Sequence, residues 1–400
     1  MVVRYMGTKR HMADHVRDAI APLVSNGRAV DLFSGMGSVA ESLRDTCSVV
    51  TNDALSFTAV LSRARFTGAR RNTKPTDVTQ RLQEAYESRR AVLATQHAAQ
   101  LEKEQAAMRG DRHELSDYMN RVQHVGNSPA ARRGARSAAI RAGADHYSLA
   151  SLYFSGGYLS LSQCIDVDAI RYAIDSDDVQ AERDWLLSAW IFGLSVLINA
   201  PGHTAQFLKP NTDRGHLRIV RTWERSLWAE LPTALDGIDQ VGRASWRAKN
   251  SVYVGDALDL ISSGELTDVE ASYADPPYTK DQYSRYYHLY ETLYRYDYPD
   301  SAGAGRNRSD RFTTGFSLKT AVIASFHDLC RNVARMQVPL VISYPSDGLL
   351  NTAGSSVADV ASSHFAHVEV QSFDANHSTM GASKGTSTKS AMENLYVCSS

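Results

Sequence analysis

Several apolar runs in this chain, rich in β-branched residues, end in an acid. Ala29-Val30 leads into Asp31, Val49-Val50-Thr51 into Asp53, Ser251 to Val254 into Gly255-Asp256, and Val269 to Ala274 into Asp275. Short runs of this kind read as buried strands, and with helical patterns resuming after them they predict an α/β fold with a mostly parallel sheet. Pro339 to Tyr344 is a fifth such strand. Farther on, His364 to Phe373 alternates apolar and polar residues, and Glu393 to Cys398 reads as a last strand. These two predict an antiparallel hairpin at the sheet edge.

The first acid sits in Ala29-Val30-Asp31-Leu32-Phe33-Ser34-Gly35-Met36-Gly37-Ser38-Val39-Ala40, a strand running into a glycine loop and then a helix. Gly35-x-Gly37-x-x-Ala40 fits the dinucleotide fingerprint, and Asp53 follows at about the expected ~20 residues, so hydride transfer with NAD is a real rival reading. Asp31 weighs against it. A carboxylate inside the loop would repel a pyrophosphate, but it suits the ammonium of an amino-acid-bearing cofactor. Asp53, at the next strand end, is placed to accept ribose hydroxyls. Together they favour S-adenosylmethionine.

The last acid opens Asp275-Pro276-Pro277-Tyr278. Two prolines fix φ, Pro277 lacks an N–H, and Pro277 biases Pro276 away from helical geometry. One carboxylate, one outward carbonyl and one aromatic face could grip a flat amine such as the exocyclic amino group of a nucleobase. The same tetrapeptide also reads as an ordinary turn after a strand.

The N-terminal Arg4-Tyr5-Met6-Gly7-Thr8-Lys9 precedes a helical pattern in Met12, Val16, Ile20 and Leu23. Tyr5 and Lys9 flank a small hollow at Gly7, with Thr8 as N-cap; from these residues alone a strand-turn-helix with a solvated lysine is the better reading.

At 400 residues the chain has material for two or three domains. Net charge is −1, yet residues 61–150 hold 16 Lys+Arg against 9 Asp+Glu. That local excess, including the basic stretch Gly126 to Asp145, is the compositional hint of a polyanion partner. Asp77 to Gly110 predicts a long, largely exposed helical stretch. The four cysteines (Cys47, Cys164, Cys330, Cys398) are far apart and form no metal cluster, which fits a reducing cytoplasm and no metal site. No apolar signal-peptide core follows the N-terminus. Trp185 to Ala200 is shorter than the ~20 residues of a membrane span and reads as a buried helix. Tyr283, Tyr287, Tyr290 and Tyr294 share helical spacing, and Pro299 to Ser317 reads as a mobile basic loop.

The order RYMGTK, DLFSGMGS, TNDA, a long insert, GDAL and DPPY resembles the Dam-like, alpha-ordered group of adenine-specific DNA methyltransferases. The likeness covers about the first 60 residues and the region from 250 onward. It implies a Rossmann-like methyltransferase sheet formed by residues 1–70 and 250–400. It also implies a mainly helical insert at 71–249 that recognises double-stranded DNA, and a restriction endonuclease as candidate partner. Asp275 and the Pro276 carbonyl would hold the target amine, with Pro277 fixing the turn and Tyr278 stacking on the flipped base. Tyr5, Gly7 and Lys9, the loop residues Asp31, Phe33, Gly35, Gly37 and Ser38, then Asp53, Asp256, Ala257 and Asp275 match cofactor-contact positions. Tyr5 stands where the best-known members have tryptophan, and the insert exceeds a minimal recognition domain. A cytosine amino-methyltransferase, an RNA or protein amide methyltransferase, and a catalytically silent DNA-binding subunit are the alternatives.

Overall fold

Alternation along the buried strands divides the main sheet's core into two layers. The computed structural model describes residues 12–122, 130, 133–137, 147–378 and 388–400. Tyr5, Gly7, Thr8 and Lys9 therefore lie outside the described residues, as does most of Gly126 to Asp145. The described strands are β1 (Arg28–Asp31), β2 (Ser48–Asp53), β3 (Ser251–Val254), β4 (Val269–Ala274), β5 (Ser301–Ala302), β6 (Asn307–Arg308), β7 (Leu340–Pro345), β8 (His367–Ser378) and β9 (Thr388–Ser399). The seven-stranded sheet has the order β3-β2-β1-β4-β7-β9-β8. Its first five strands run parallel, and β9 pairs antiparallel with both β7 and β8. This is a mostly parallel, Rossmann-like sheet of the α/β class, with the antiparallel edge hairpin expected from the sequence.

By internal contacts the chain divides into two units. The sheet unit comprises the described residues up to Arg70, with Gln240–Ser284 and Phe312–Ser400. On one face of its sheet Val30, Val50 and Ile342 pack with Phe316, Phe326, Leu329 and Phe365. On the other, Ala29, Val49, Ala271 and Val341 pack with Val16, Ile20, Phe66 and Trp246. This is the period-two burial that a sheet covered on both faces requires. Val16 and Ile20 project from the helix Ala13–Ile20, the amphipathic face read from their spacing.

The helical unit comprises Arg71–Asp239 and Arg285–Arg311. The stretch expected to be helical and largely exposed forms two helices, Pro75–Gln96 and Ala98–Arg109, which meet at His97. The first buries Val78, Leu82, Tyr86 and Leu93, a stripe too sparse to stand out in a polar sequence. The helix Arg183–Ser195 is buried from Trp185 to Leu194. In the tyrosine series Tyr283 lies on the short helix Tyr283–Tyr286, Tyr287 between helices, and Tyr290 and Tyr294 on the helix His288–Arg295, so its regular spacing does not mark one continuous face. Among the described residues no helix is long and apolar enough to cross a membrane.

Charge holds the helical unit together at its buried ends. Glu104 is 2% exposed, and its carboxylate accepts the Leu161 N–H at 2.7 Å, the Ser162 N–H at 3.3 Å and the Tyr118 hydroxyl at 2.9 Å. It thereby serves the otherwise unpaired donors at the start of the helix Leu161–Asp175. Asp166 accepts from Tyr86, Arg90 and Ser226. Glu104→Ala should strand one buried and two part-buried donors and cost roughly 2–3 kcal/mol, seen as a lower urea midpoint; Glu104→Gln should lose less, because it keeps one acceptor.

Candidate active site

The strand order reverses beside β1: one branch runs to β2 and β3, the other to β4 and β7. In an open α/β sheet the crevice at the carboxyl ends of such strands is the usual ligand position. Asp31 ends β1 there, Asp53 ends β2, and Asp275 follows β4, whose Tyr273 is in register with Asp31.

Local hydrogen bonds shape the glycine loop after β1. Ser34 N–H donates to the Asn52 carbonyl at 2.8 Å, and Gly37 N–H to the Ser34 carbonyl at 2.7 Å. Gly35 N–H donates to Asp53 Oδ2 at 2.9 Å, so the acid at the second strand end holds the loop from the first. The other Asp53 oxygen accepts the Leu55 N–H at 2.9 Å. A carboxylate oxygen can accept more than one hydrogen bond, which leaves Asp53 capacity for hydroxyl donors. Gly37 has φ 76°, and a Cβ there would lie 2.3 Å from the Phe66 ring, so sterics and backbone conformation both demand glycine. Phe33 is held edge-on to Phe316, with ring centroids 5.5 Å apart. Ser38 opens the helix Ser38–Ser42.

Three of the expected acids come together electrostatically. Asp31 is 3% exposed, and its Oδ1 accepts the Phe33 N–H at 3.3 Å. Burial pushes its carboxyl well above the usual range; the Phe33 bond opposes this, while the charges of Asp275 and Asp53 add to it. Burial also raises Asp53, against the Leu55 and Gly35 hydrogen bonds. Asp256 differs. Its Oδ1 accepts the Leu258 N–H at 2.8 Å and caps the helix Ala257–Ser262, and its carboxyl is raised by partial burial despite that bond, with a contribution from Asp259. Ala257 is buried beneath it.

In the DPPY turn Pro276 is buried, and Asp275, Pro277 and Tyr278 are half-buried. The Tyr278 carbonyl accepts the Leu349 N–H at 2.9 Å, and its ring packs against the core layer around Phe316 and Tyr344. Two residues of this edge escaped the sequence reading. Asn52 is fully buried, and its amide donates to the Leu32 carbonyl at 3.1 Å and the Gly255 carbonyl at 3.2 Å, joining the ends of β1, β2 and β3. Its signal was a polar side chain inside the apolar run before Asp53. Tyr273 is buried on β4, and burial followed by the charges of Asp275 and Asp31 drives its hydroxyl far from ionisation. Nothing in the sequence set it apart from a core tyrosine. Among the described residues no group of three or more His, Cys, Asp or Glu could hold a metal ion.

The strand order with its antiparallel edge hairpin is that of a Rossmann-like methyltransferase fold. No family model matches the chain. It is similar, at 23% identity over 357 residues, to the modification methylase LlaI of Lactococcus lactis subsp. lactis. It is also similar to the Type II methyltransferase M.FokI of Planomicrobium okeanokoites, at 24% over 354 residues, and to the modification methylase StsI of Streptococcus sanguinis, at 21% over 357. Each likeness covers 87% of this chain but only 47%, 45% and 45% of the respective relatives. The chain thus spans about half the length of the curated relatives it matches. Its distant homologues are DNA modification methylases.

The raised Asp31 carboxyl gives a test with a definite sign. A folded-state pKa above the unfolded value means that the stabilising contribution is complete below the unfolded pKa and is lost as pH rises through the folded one. Asp31→Asn should therefore melt at a higher temperature than wild type at pH 7–8, with the advantage shrinking toward pH ~4. Calorimetric melting of both proteins across that range checks it.

Proposed function

We propose that this chain transfers a methyl group from S-adenosylmethionine to the exocyclic amino nitrogen of adenine within a specific sequence of double-stranded DNA. The observation that carries the reading is Asp275, rigidly placed by Pro276 and Pro277 after β4 and close enough for its charge to act on Asp31. The donor set fits the cofactor. Asp31 is a buried carboxylate and Asp53, half-buried, adds its charge to that of Asp31, which suits a ligand bringing positive charge and ribose hydroxyls and disfavours a pyrophosphate. Asp31 would take the ammonium and Asp53 the ribose, with Phe33, Gly35, Gly37, Ser38, Asp256 and Ala257 around them; Tyr5, Gly7 and Lys9 are proposed to complete the contacts.

When bound, S-adenosylmethionine supplies an electrophilic methyl on a sulfonium. The adenine amine is a poor nucleophile, because its lone pair is delocalised into the ring. Asp275 and the Pro276 carbonyl each accept one N–H, which favours a pyramidal nitrogen with its lone pair directed at the methyl. Methyl transfer would exchange the C–S bond for a C–N bond and leave the nitrogen acidic; Asp275 would receive that proton along its hydrogen bond, so no strong base is required. Positioning is the main contribution. The target atom lies inside the duplex, so the base is flipped at a cost of a few kcal/mol, which stacking on Tyr278, worth roughly 1–3 kcal/mol, offsets. The helical insert, 71–249, is proposed to recognise the DNA, and a cognate restriction endonuclease is a candidate partner.

The test is nucleoside mass spectrometry of duplex DNA incubated with the protein and S-adenosylmethionine. N6-methyladenine is expected; N4-methylcytosine would transfer the same chemistry to the other base, and unmodified DNA would overturn the reading. Asp275→Ala should lose methylation while duplex binding persists, because the DNA-backbone contacts belong to the helical insert. Tyr278→Trp should keep part of the activity, and Tyr278→Ala should lose less on a mismatched target than on a paired one.

A further inference from the structure

We propose that Arg285 and Arg311 form a phosphate clamp on the helical unit and take the backbone of the DNA duplex. This rests on the DNA reading above and adds a site to it. The residues come from the two ends of the segment Arg285–Arg311, and each is anchored by its neighbours.

Next to Arg285, the Tyr286 carbonyl accepts both the N–H and the hydroxyl of Thr204, each at 2.7 Å. The Thr204 carbonyl accepts the Tyr158 hydroxyl at 2.6 Å and His288 Nε2–H at 2.7 Å. His203 lies over the Tyr286 ring, with centroids 4.9 Å apart. A Cβ on Gly305 would sit 2.1 Å from the Ala205 carbonyl oxygen, so that backbone approaches the same segment as closely as glycine permits. The loop from His203 to Ala205 is thus fixed from three sides, while Pro201, Gln206 and Lys209 on either side of it are exposed. An irregular surface segment needs no such framework to stay folded; a platform for a partner does.

At the other end Arg308 is 2% exposed and doubly paired, with Asp310 at 2.8 and 2.9 Å and with Asp297 at 2.7 and 3.2 Å. The acids there are consumed by the buried arginine. Arg311, next in the chain, and Arg285 have no described carboxylate within ion-pairing distance. Arg285 is exposed and Arg311 partly so. Ser284 Oγ donates to the Phe312 carbonyl at 2.6 Å, which ties together the backbone beside Arg285 and the backbone beside Arg311; burial lowers Arg311, and the charge of Arg285 adds to this. His288, fully buried behind them, is pushed down to about 3, chiefly by burial, with Arg311, Arg308 and Arg285 adding to it. The histidine therefore stays neutral at any working pH and acts as a fixed donor to the platform. Two guanidiniums held together without an anion are favourable only when one arrives, and planar donor forks match phosphate oxygens.

The experiment compares wild type with Arg285→Gln/Arg311→Gln by fluorescence anisotropy on a short duplex over a salt series. Because both side chains lack carboxylate partners, the double variant should melt at or above the wild-type temperature and keep its thermal shift with S-adenosylmethionine. Its duplex affinity should fall, and the slope of log K against log salt should flatten by about 1.8, or roughly 0.9 per lost phosphate contact. Arg285→Lys/Arg311→Lys should recover most of the slope. An unchanged slope in a variant that still binds duplex overturns the clamp and leaves the methyltransferase reading standing. Failure of the wild type to bind duplex overturns both. Protection against melting by inorganic phosphate that the variant loses, with its duplex slope unchanged, overturns the DNA assignment in favour of a free phosphate.

Discussion

Asp53 is where the sheet edge and the glycine loop become one object. Its two oxygens hold the Gly35 and Leu55 N–H groups, and its neighbour Asn52 holds the carbonyls of Leu32 and Gly255. Without these bonds the ends of β1, β2 and β3 would present unpaired backbone groups in a buried place, at a penalty of about 1–3 kcal/mol each. With them the loop is rigid enough to leave Asp31 buried with Asp53 and Asp275 nearby, an arrangement of like charges that does not favour the folded state. Folding tolerates this because the two core layers below are large and continuous. The strain of like charges at a ligand crevice is the physical reason to expect a cationic ligand there.

The helical unit resolves its buried charge differently. Glu104 and Asp168 are each met by backbone N–H groups and tyrosine hydroxyls. Arg308 is enclosed by Asp297 and Asp310, and Arg171 by Asp175 and the carbonyls of Leu293 and Tyr294. Where charge is buried in that unit it is mostly compensated, which makes the accessible, uncompensated arginines informative.

Much of the sheet was legible because its strands are short apolar runs bounded by glycine, proline and acids. Even the reversal of direction at the last two strands followed from an alternating pattern. The hairpin is longer than its apolar pattern: β8 and β9 remain paired from Asp374↔Met392 to Ser378↔Thr388, past the β7–β9 pairing that ends at Glu393, so backbone pairing outlasts apolar alternation. The expected mobile basic loop after Pro299 contains the short ladder β5–β6, and Arg306 and Arg308 are buried in it. Composition suggested solvent because arginine is rarely buried; nothing local announces that the Tyr153 and Ser155 carbonyls will receive Arg306. In the candidate site, Asp31, Asp53 and Asp275 were legible as strand ends, whereas Asn52 and Tyr273 act through neighbours on adjacent strands, a relation that one strand's sequence does not contain.

The central claim is that the buried carboxylate of Asp31 awaits a positive ligand group, and calorimetric titration of S-adenosylmethionine between pH 5 and pH 7 tests it most directly. Burial raises the Asp31 carboxyl well above its ordinary range, and an ammonium binds its ionised form, so binding is linked to loss of the proton. The account predicts that affinity rises with pH across this interval and that Asp31→Asn binds more weakly with a flatter profile. Affinity independent of pH in the wild type, or undiminished in the variant, would contradict it.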